Sequence, residues 1–190
     1  MNRLPLVLLA ALVVAFRLLG AAFPDTIPNF SPLAALLLCS LVFLKGTWRW
    51  ALPLGVWVVT DPLVSAFQGY PVVGWHWAAL PLGIAATVAI AVPLRRNPRA
   101  LPMLAGAAGA ALAFYFLTNA VSFLALPLYP KSPLGFVQAE WTGPVGFGPT
   151  WVFLRNALTS NLLFTGLALL AHRGFQPVAA PVRAKAIRGV

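Results

Sequence analysis

Polar side chains recur at helical spacing inside the long apolar runs of this sequence. At about 100° per residue, Tyr115, Thr118 and Asn119 fall on one face of a predicted helix, and Ser122 extends that face by one turn. Two more predicted helices carry similar faces, one with Arg155, Asn156, Thr159 and Ser160, the other with Trp57, Asp61 and Ser65. Because polar groups are costly to bury in apolar surroundings, such faces indicate either a binding site or a network that holds helices together.

Few charged residues lie within these apolar runs, so few ion pairs can form between them. Asp61 is the acid that lies clearly within a predicted helix, and Arg17 and Arg155 are the cations at similar depth. A buried charge without a partner is strongly disfavoured, so we expect Asp61 to pair with Arg155 or with Arg17. The pair could be purely structural, or one of its members could also contact a ligand. Pro62 disfavours helical geometry at Asp61 and predicts a break in that helix, as found where a helix lines a cavity.

Several chemistries have no support in the sequence. The chain has no glycine-rich phosphate loop, so it is not expected to hydrolyse ATP itself. His76 and His172 are predicted to lie on opposite sides of the membrane, and Cys39 stands alone, which excludes an intrachain disulfide. We therefore predict no catalytic residues, no metal site and no cofactor, and we do not expect an enzyme.

The composition indicates that most of this chain is surrounded by lipid. Hydrophobic residues make up 61% of the 190 residues and charged residues only 8%, whereas soluble domains carry about 25% charged residues. Lipid must therefore be the main solvent, and the long continuous runs favour helices over a β-barrel. The sequence predicts an all-α, polytopic membrane helix bundle in a single transmembrane domain over 1–175, followed by a disordered basic tail over 176–190. Six segments are predicted to span the membrane, at about 4–20, 32–44, 50–67, 75–94, 101–126 and 150–172. The second is short, and it could instead form a tight hairpin with the third in which it is partly re-entrant.

The first of these segments has a second interpretation. Arg3 precedes an apolar run that ends in small residues at Ala21 and Ala22, as in a cleaved signal peptide. Arg17 inside the run, and the five hydrophobic segments that follow, favour a helix that is retained.

The basic residues predict the orientation. Of the 13 Lys and Arg residues, ten fall at the N-terminus, in the turns at 45–49 and 95–99, and in the tail. The positive-inside rule then places both termini of this multi-pass chain in the cytoplasm. In this location the net charge of +10 meets anionic lipid headgroups, and nucleic acid is not an expected partner.

This orientation places the polar faces in the outer half of the membrane. Three faces at one depth predict a shared cavity between the third, fifth and sixth segments. The outer loops at 21–31, 68–74 and 127–149 could either fold over this cavity as lids or pack on the headgroup layer. The residues predicted to bind a ligand are Asp61, Asn119, Arg155 and Asn156, with Tyr115 and Trp57 on the same faces and Arg17 and Asn29 at the rim.

Three stretches resemble a known family. They read FRLLGAAFPDTIPNFSPLAALLLCSLVF (16–43), FYFLTNAVSFL (114–124) and FLRNALTSNLLFTGLAL (153–169). They are similar to the opening and closing parts of the DUF6580 type, a family of uncharacterised small bacterial membrane proteins. The resemblance implies a multi-pass protein of the bacterial inner (cytoplasmic) membrane. The family's usual Gly-Gly is replaced here by Leu38-Cys39-Ser40, so close helix packing at those glycines is not expected.

The layout of that family is similar to the substrate-binding S components of energy-coupling-factor transporters. The similarity implies a six-helix protein with a ligand pocket near the outer face, a separate transmembrane coupling subunit and separate ATPases. The function expected from it is small-molecule binding, of a vitamin-like compound, for an importer. The alternative is a non-transporting structural or assembly protein in which the polar residues only hold helices together.

Overall fold

The computed structural model describes residues 4–174, apart from Tyr70, Trp75 and Phe147. The predicted disordered tail at 176–190 lies outside the described residues. Within them the chain is helical and contains no strand. The helices are α1 (Leu4–Ala22), α2 (Leu33–Phe43), α3 (Trp48–Gln68), α4 (His76–Leu94), α5 (Ala100–Ala125), α6 (Pro133–Glu140) and α7 (Trp151–Gly174).

Five of these helices are long and apolar enough to cross a membrane, namely α1, α3, α4, α5 and α7. The second apolar segment is different, because α2 has only 11 residues. At about 1.5 Å per residue it extends about 16 Å, roughly half of a hydrocarbon core of about 30 Å. Six spanning segments were predicted, the second of them short, and the described residues contain five long apolar helices and one short one.

The short helix α2 lies among all the long ones and packs against each of them. Leu36, Leu38 and Cys39 have no exposed surface. The amide of Ala35 meets Asn161 halfway along α7, and Phe43 stacks on His172 near the end of α7 with ring centroids 4.4 Å apart. Helix α2 therefore runs in the same direction as the second half of α7. The composition of α2 suits a place at the centre of the bundle. Every residue from Ala35 to Leu41 is buried, and only Ser40 among them carries a side-chain hydroxyl.

An irregular segment at 23–32 leads from α1 into α2. Asn29 has a φ of 53°, a left-handed conformation that Asn tolerates better than most residues. The segment passes close to α1, since a Cβ on Gly20 would lie 3.4 Å from the carbonyl oxygen of Ile27. Asn29, predicted at the rim of a ligand site, is exposed and forms this turn.

Two features of the helices differ from the sequence predictions. Helix α3 continues through Pro62, so the predicted break at Asp61 is wrong. The surrounding helices hold the backbone in place although Pro62 supplies no N–H.

Helix α6 lies within the long loop at 127–149, where no helix was predicted. The Oγ of Ser132 accepts a hydrogen bond from the amide of Gly135 at 3.2 Å, and Pro133 occupies the first turn. A Ser-Pro start of this kind is a helix signal in the sequence.

Candidate functional site

The first polar cluster joins α1 to α3. Nη2 of Arg17 donates to Oδ1 of Asp61 at 2.8 Å, and Nη1 donates to Oγ of Ser31 at 3.3 Å. Both charged side chains are nearly buried, with 13% and 12% of their surface exposed. Of the two partners that the sequence left open for Asp61, the structure selects Arg17. This is the one ion pair among the described residues.

A pocket of about 150 Å³ lies beside this pair, between α3 and α4. The rings of Trp57 and Trp77 meet edge to face with centroids 5.0 Å apart, and Nε1 of Trp77 donates to the carbonyl of Val72 at 2.8 Å. Oδ2 of Asp61 is buried and has no hydrogen-bond partner. The pocket is lined by Trp57, Val58, Asp61, Pro62, Val72, Val73 and Trp77.

Pro62 removes a helical hydrogen-bond donor beside this pocket. In a regular helix the carbonyl of Val58 accepts a hydrogen bond from the residue four positions later, which here is Pro62 and has no N–H. The carbonyl of Val58 therefore lacks its regular helical donor, and it lies in the same turn of α3 as Oδ2 of Asp61, which has no hydrogen-bond partner. The surface that the pocket presents is almost entirely apolar, with Oδ2 of Asp61 buried behind it, so the wall suits an apolar ligand or the apolar part of one.

The second cluster joins α5 to α6. The hydroxyl of Tyr115 donates to the backbone carbonyl of Glu140, and Nδ2 of Asn119 lies 3.5 Å from Oε2 of the same residue. Glu140 is 7% exposed and its Oε1 has no partner. Burial raises the pKa of Glu140 from 4.5 to about 7, and the hydrogen bond from Asn119 only partly offsets this. Glu140 was not among the predicted site residues because it lies in a predicted loop, although it is one of only three acids in the chain.

The third cluster lies on α7. Nδ2 of Asn156 donates to the carbonyl of Pro28 at 2.8 Å, and Oδ1 accepts from Nε of Arg155 at 3.2 Å. The Arg155 guanidinium lies 5.7 Å from the centre of the Trp151 ring, and the residue is exposed. Arg155 thus lies at the exposed surface of this cluster and does not neutralise Asp61.

The predicted ligand residues therefore do not share one cavity. Trp57, Arg17 and Asp61 belong to the first cluster, Tyr115 and Asn119 to the second, and Arg155 and Asn156 to the third. The physical reason is α2, which contacts α3, α5 and α7 and fills the space in which their polar faces were expected to meet.

A larger pocket of about 320 Å³ lies on the outer side of α6 and contains none of the predicted residues. It is a shallow groove, lined by Leu134, Val137, Gln138, Trp141 and Thr142. We take the smaller pocket as the candidate site because it adjoins a buried carboxylate. As for metals, no three His, Cys, Asp or Glu side chains come together within the described part of the chain.

The sequence that forms these clusters matches a protein family. The sequence profile described as "Family of unknown function (DUF6580)" matches residues 1–181. The chain belongs to the DUF6580 family. The match covers α1 to α7 and so includes all three clusters of this DUF6580 protein. No curated protein and no solved structure matches the DUF6580 chain. The resemblance deduced from the three sequence stretches is thereby confirmed at the level of the family.

Proposed function

We propose that this protein is a membrane-embedded subunit of an importer and binds a small, vitamin-like molecule in the pocket between α3 and α4. The observation that carries the proposal is the buried Oδ2 of Asp61, which has no hydrogen-bond partner and belongs to a residue that lines a cavity. Buried polar atoms in proteins are almost always paired, so an unpaired one beside a cavity indicates a missing partner.

The volume of the pocket restricts the ligand. About 150 Å³ is half of the smallest volume, about 300 Å³, that is typical of sites for drug-sized molecules. The ligand is accordingly at the small end of the vitamin-like class. The rings of Trp57 and Trp77 would contact its apolar part. A hydrogen bond to Oδ2 of Asp61 would form only when the side chains that cover this atom move on binding.

The membrane arrangement proposed with this function has six crossings and both termini in the cytoplasm of a bacterial inner membrane. Helix α2 would form the buried part of the second crossing, where the five long helices cover it. The positive-inside rule supports this orientation. The ten basic residues on the proposed cytoplasmic side are Arg3, Lys45, Arg49, Arg95, Arg96, Arg99, Arg173, Arg183, Lys185 and Arg188.

The energy for import would come from other proteins. The sequence contains no phosphate-binding loop, so a separate transmembrane coupling subunit and ATPases are part of the proposal. This division of labour is the one implied by the similarity in layout to S components of energy-coupling-factor transporters.

The proposal is tested by native mass spectrometry of the purified full-length protein incubated with a defined mixture of water-soluble vitamins. We expect one bound molecule per chain in the wild type. Val73→Trp should abolish the adduct, because it fills the pocket from its exposed rim. Asp25→Asn, which changes an exposed acid elsewhere, should retain it. An adduct that survives in Val73→Trp would place the ligand outside this pocket.

A specific observation also favours a structural or assembly protein as the second candidate. The polar side chains of α7 bond to backbone groups of neighbouring segments, Asn161 to the amide of Ala35 and Asn156 to the carbonyl of Pro28. These bonds hold helices in place without needing a ligand. The absence of any adduct from wild-type protein, with the pocket variant equally stable, would favour this candidate over the first.

A further inference from the structure

The side chain of Glu140 is buried at the inner face of α6, although acidic side chains are almost never buried unless they are paired. Helix α6 has two faces. Gly135, Ala139 and Glu140 are buried towards the protein, whereas Leu134 and Val137 on the outer face are 79% and 59% exposed. The packing partner of α6 is α5. A carboxyl group therefore occupies the interface between these two helices, where an apolar side chain would be the usual choice.

No cation neutralises this carboxyl group within the described part of the chain. Lys131 is the basic residue nearest in sequence, but its Nζ donates to backbone carbonyls at the end of α5, including that of Leu126 at 2.8 Å. The titratable groups that face Glu140 are two phenols, Tyr115 from α5 and Tyr129 from the loop before α6. Each would carry a negative charge if it were ionised, so neither compensates the carboxylate.

The hydrogen bonds to the carboxyl group are also insufficient for an ion. Asn119 supplies one long contact of 3.5 Å to Oε2, and Oε1 has no partner. An ionised carboxylate offers about four acceptor sites and is costly to bury when most of them are empty. A protonated carboxyl needs fewer donors and carries no charge. The surroundings of Glu140 thus match the neutral form of the group.

We infer that the carboxyl group of Glu140 is a proton-binding site that holds α6 against α5 when it is protonated and allows α6 to separate when it is ionised. This site is distinct from the pocket beside Asp61, and the inference does not depend on the proposed importer function.

The sign of the pH dependence follows from the raised pKa of Glu140, which moves from 4.5 to about 7 on burial. The docked state binds the proton more tightly than the undocked state. The docking of α6 is therefore strongest below pH 4.5, weakens as the pH rises from 4.5 to about 7, and is constant above that range.

The site can be observed directly because Glu140 is the only glutamate in the sequence. Protein labelled with 13C at the glutamate carboxyl gives a reporter for this position, and its chemical shift can be followed with pH in the full-length protein in lipid nanodiscs. We expect a midpoint near the pKa of about 7. A midpoint near the ordinary value of 4.5 would overturn the inference without requiring any substitution.

Hydrogen exchange of the α6 amides, corrected for the intrinsic effect of pH on exchange, tests the coupling to α6. Between about pH 5.5 and about pH 7.5, the opening equilibrium of wild-type α6 should increase on the order of tenfold or more. Glu140→Gln imitates the protonated group and should remove this dependence while keeping α6 protected. Asp25→Asn is the matched control and should behave as wild type. An unchanged pH dependence in Glu140→Gln would refute the coupling.

A small cation is the other occupant that a buried carboxylate could take. The exchange measurement at about pH 8 is therefore repeated in sodium, potassium and choline chloride at equal ionic strength. Equal exchange in the three salts is expected for a proton site. Protection of α6 restored by sodium or potassium, but not by choline, would assign the site to an alkali cation and overturn the proton assignment.

Discussion

Replacing Asn161 by alanine should destabilise the centre of the bundle. Oδ1 of Asn161 accepts from the amide of Ala35 at 2.6 Å, and Nδ2 donates to the carbonyl of Ala157 at 2.8 Å. The first amides of any helix lack partners within it, and Pro32 at the start of α2 provides no side-chain bond. Asn161 thus caps α2 from a different helix, at a position that is only 2% exposed.

The magnitude can be worked out from three related losses. Removing a capping side chain costs about 1 kcal/mol, and a buried N–H left without a partner costs about 1–3 kcal/mol. Hydrogen bonds between helices within membranes contribute less, about 0.6 kcal/mol on average and up to about 1.7 kcal/mol. These figures describe the same event and do not add. We expect Asn161→Ala to lower the free energy of unfolding by about 1–2 kcal/mol.

The assay is denaturant-induced unfolding of the purified protein in mixed micelles, followed by tryptophan fluorescence. Thr159→Ala is the matched control two residues earlier on the same helix. The hydroxyl of Thr159 is exposed and bonds to the carbonyl of Arg155 within its own helix, so its loss should change the free energy by less than about 0.5 kcal/mol. If Asn161→Ala is no more destabilising than Thr159→Ala, the capping role assigned to Asn161 is incorrect.

Two further predictions concern the ion pair and the glycines. Arg17→Leu leaves Asp61 without its cation and should lower the free energy of unfolding by about 3–5 kcal/mol, most of which is regained when Asp61→Leu is added. The free energies of unfolding of the two single variants and the double variant test this prediction. Additive losses in the double variant would contradict it. Gly83→Ala should cost about 1–3 kcal/mol because a Cβ there overlaps the ring of Phe114, whereas Gly55→Ala meets open space and should be neutral or slightly stabilising. Equal unfolding midpoints for the two alanine variants would show that the ring moves freely.

The lengths of the helices could be predicted from the sequence because each apolar run is bounded by Pro, Gly or charged residues. The six segments predicted from these runs begin and end within two residues of helices in the structure. Helix α6 was missed because it has only eight residues, and its signals, Ser132 and Pro133, are local. A short helix of this kind depends on packing against the rest of the protein more than on the intrinsic preferences of its residues.

The polar faces were predicted more accurately than their partners. Helical periodicity shows which side of a helix is polar, but it does not show which neighbour that side meets. Asp61 was expected to pair with Arg17 or Arg155, and the choice was decided by the packing of α3 on α1. The single shared cavity was not found because α2 occupies the space between the faces. A run of 11 apolar residues gives no sign that it will lie at the centre of the bundle.

The position of α2 has a consequence for biosynthesis. Helix α2, with 11 residues, is too short to enter the bilayer as an independent stop-transfer segment. Its cap, Asn161, is on α7, the last helix within the described residues, which is synthesised more than 100 residues after α2. The nascent chain must therefore hold an uncapped α2 until synthesis of α7 is complete. Chains truncated before Asn161 should accordingly be recognised by membrane quality-control proteases, even though α1 to α5 are all present.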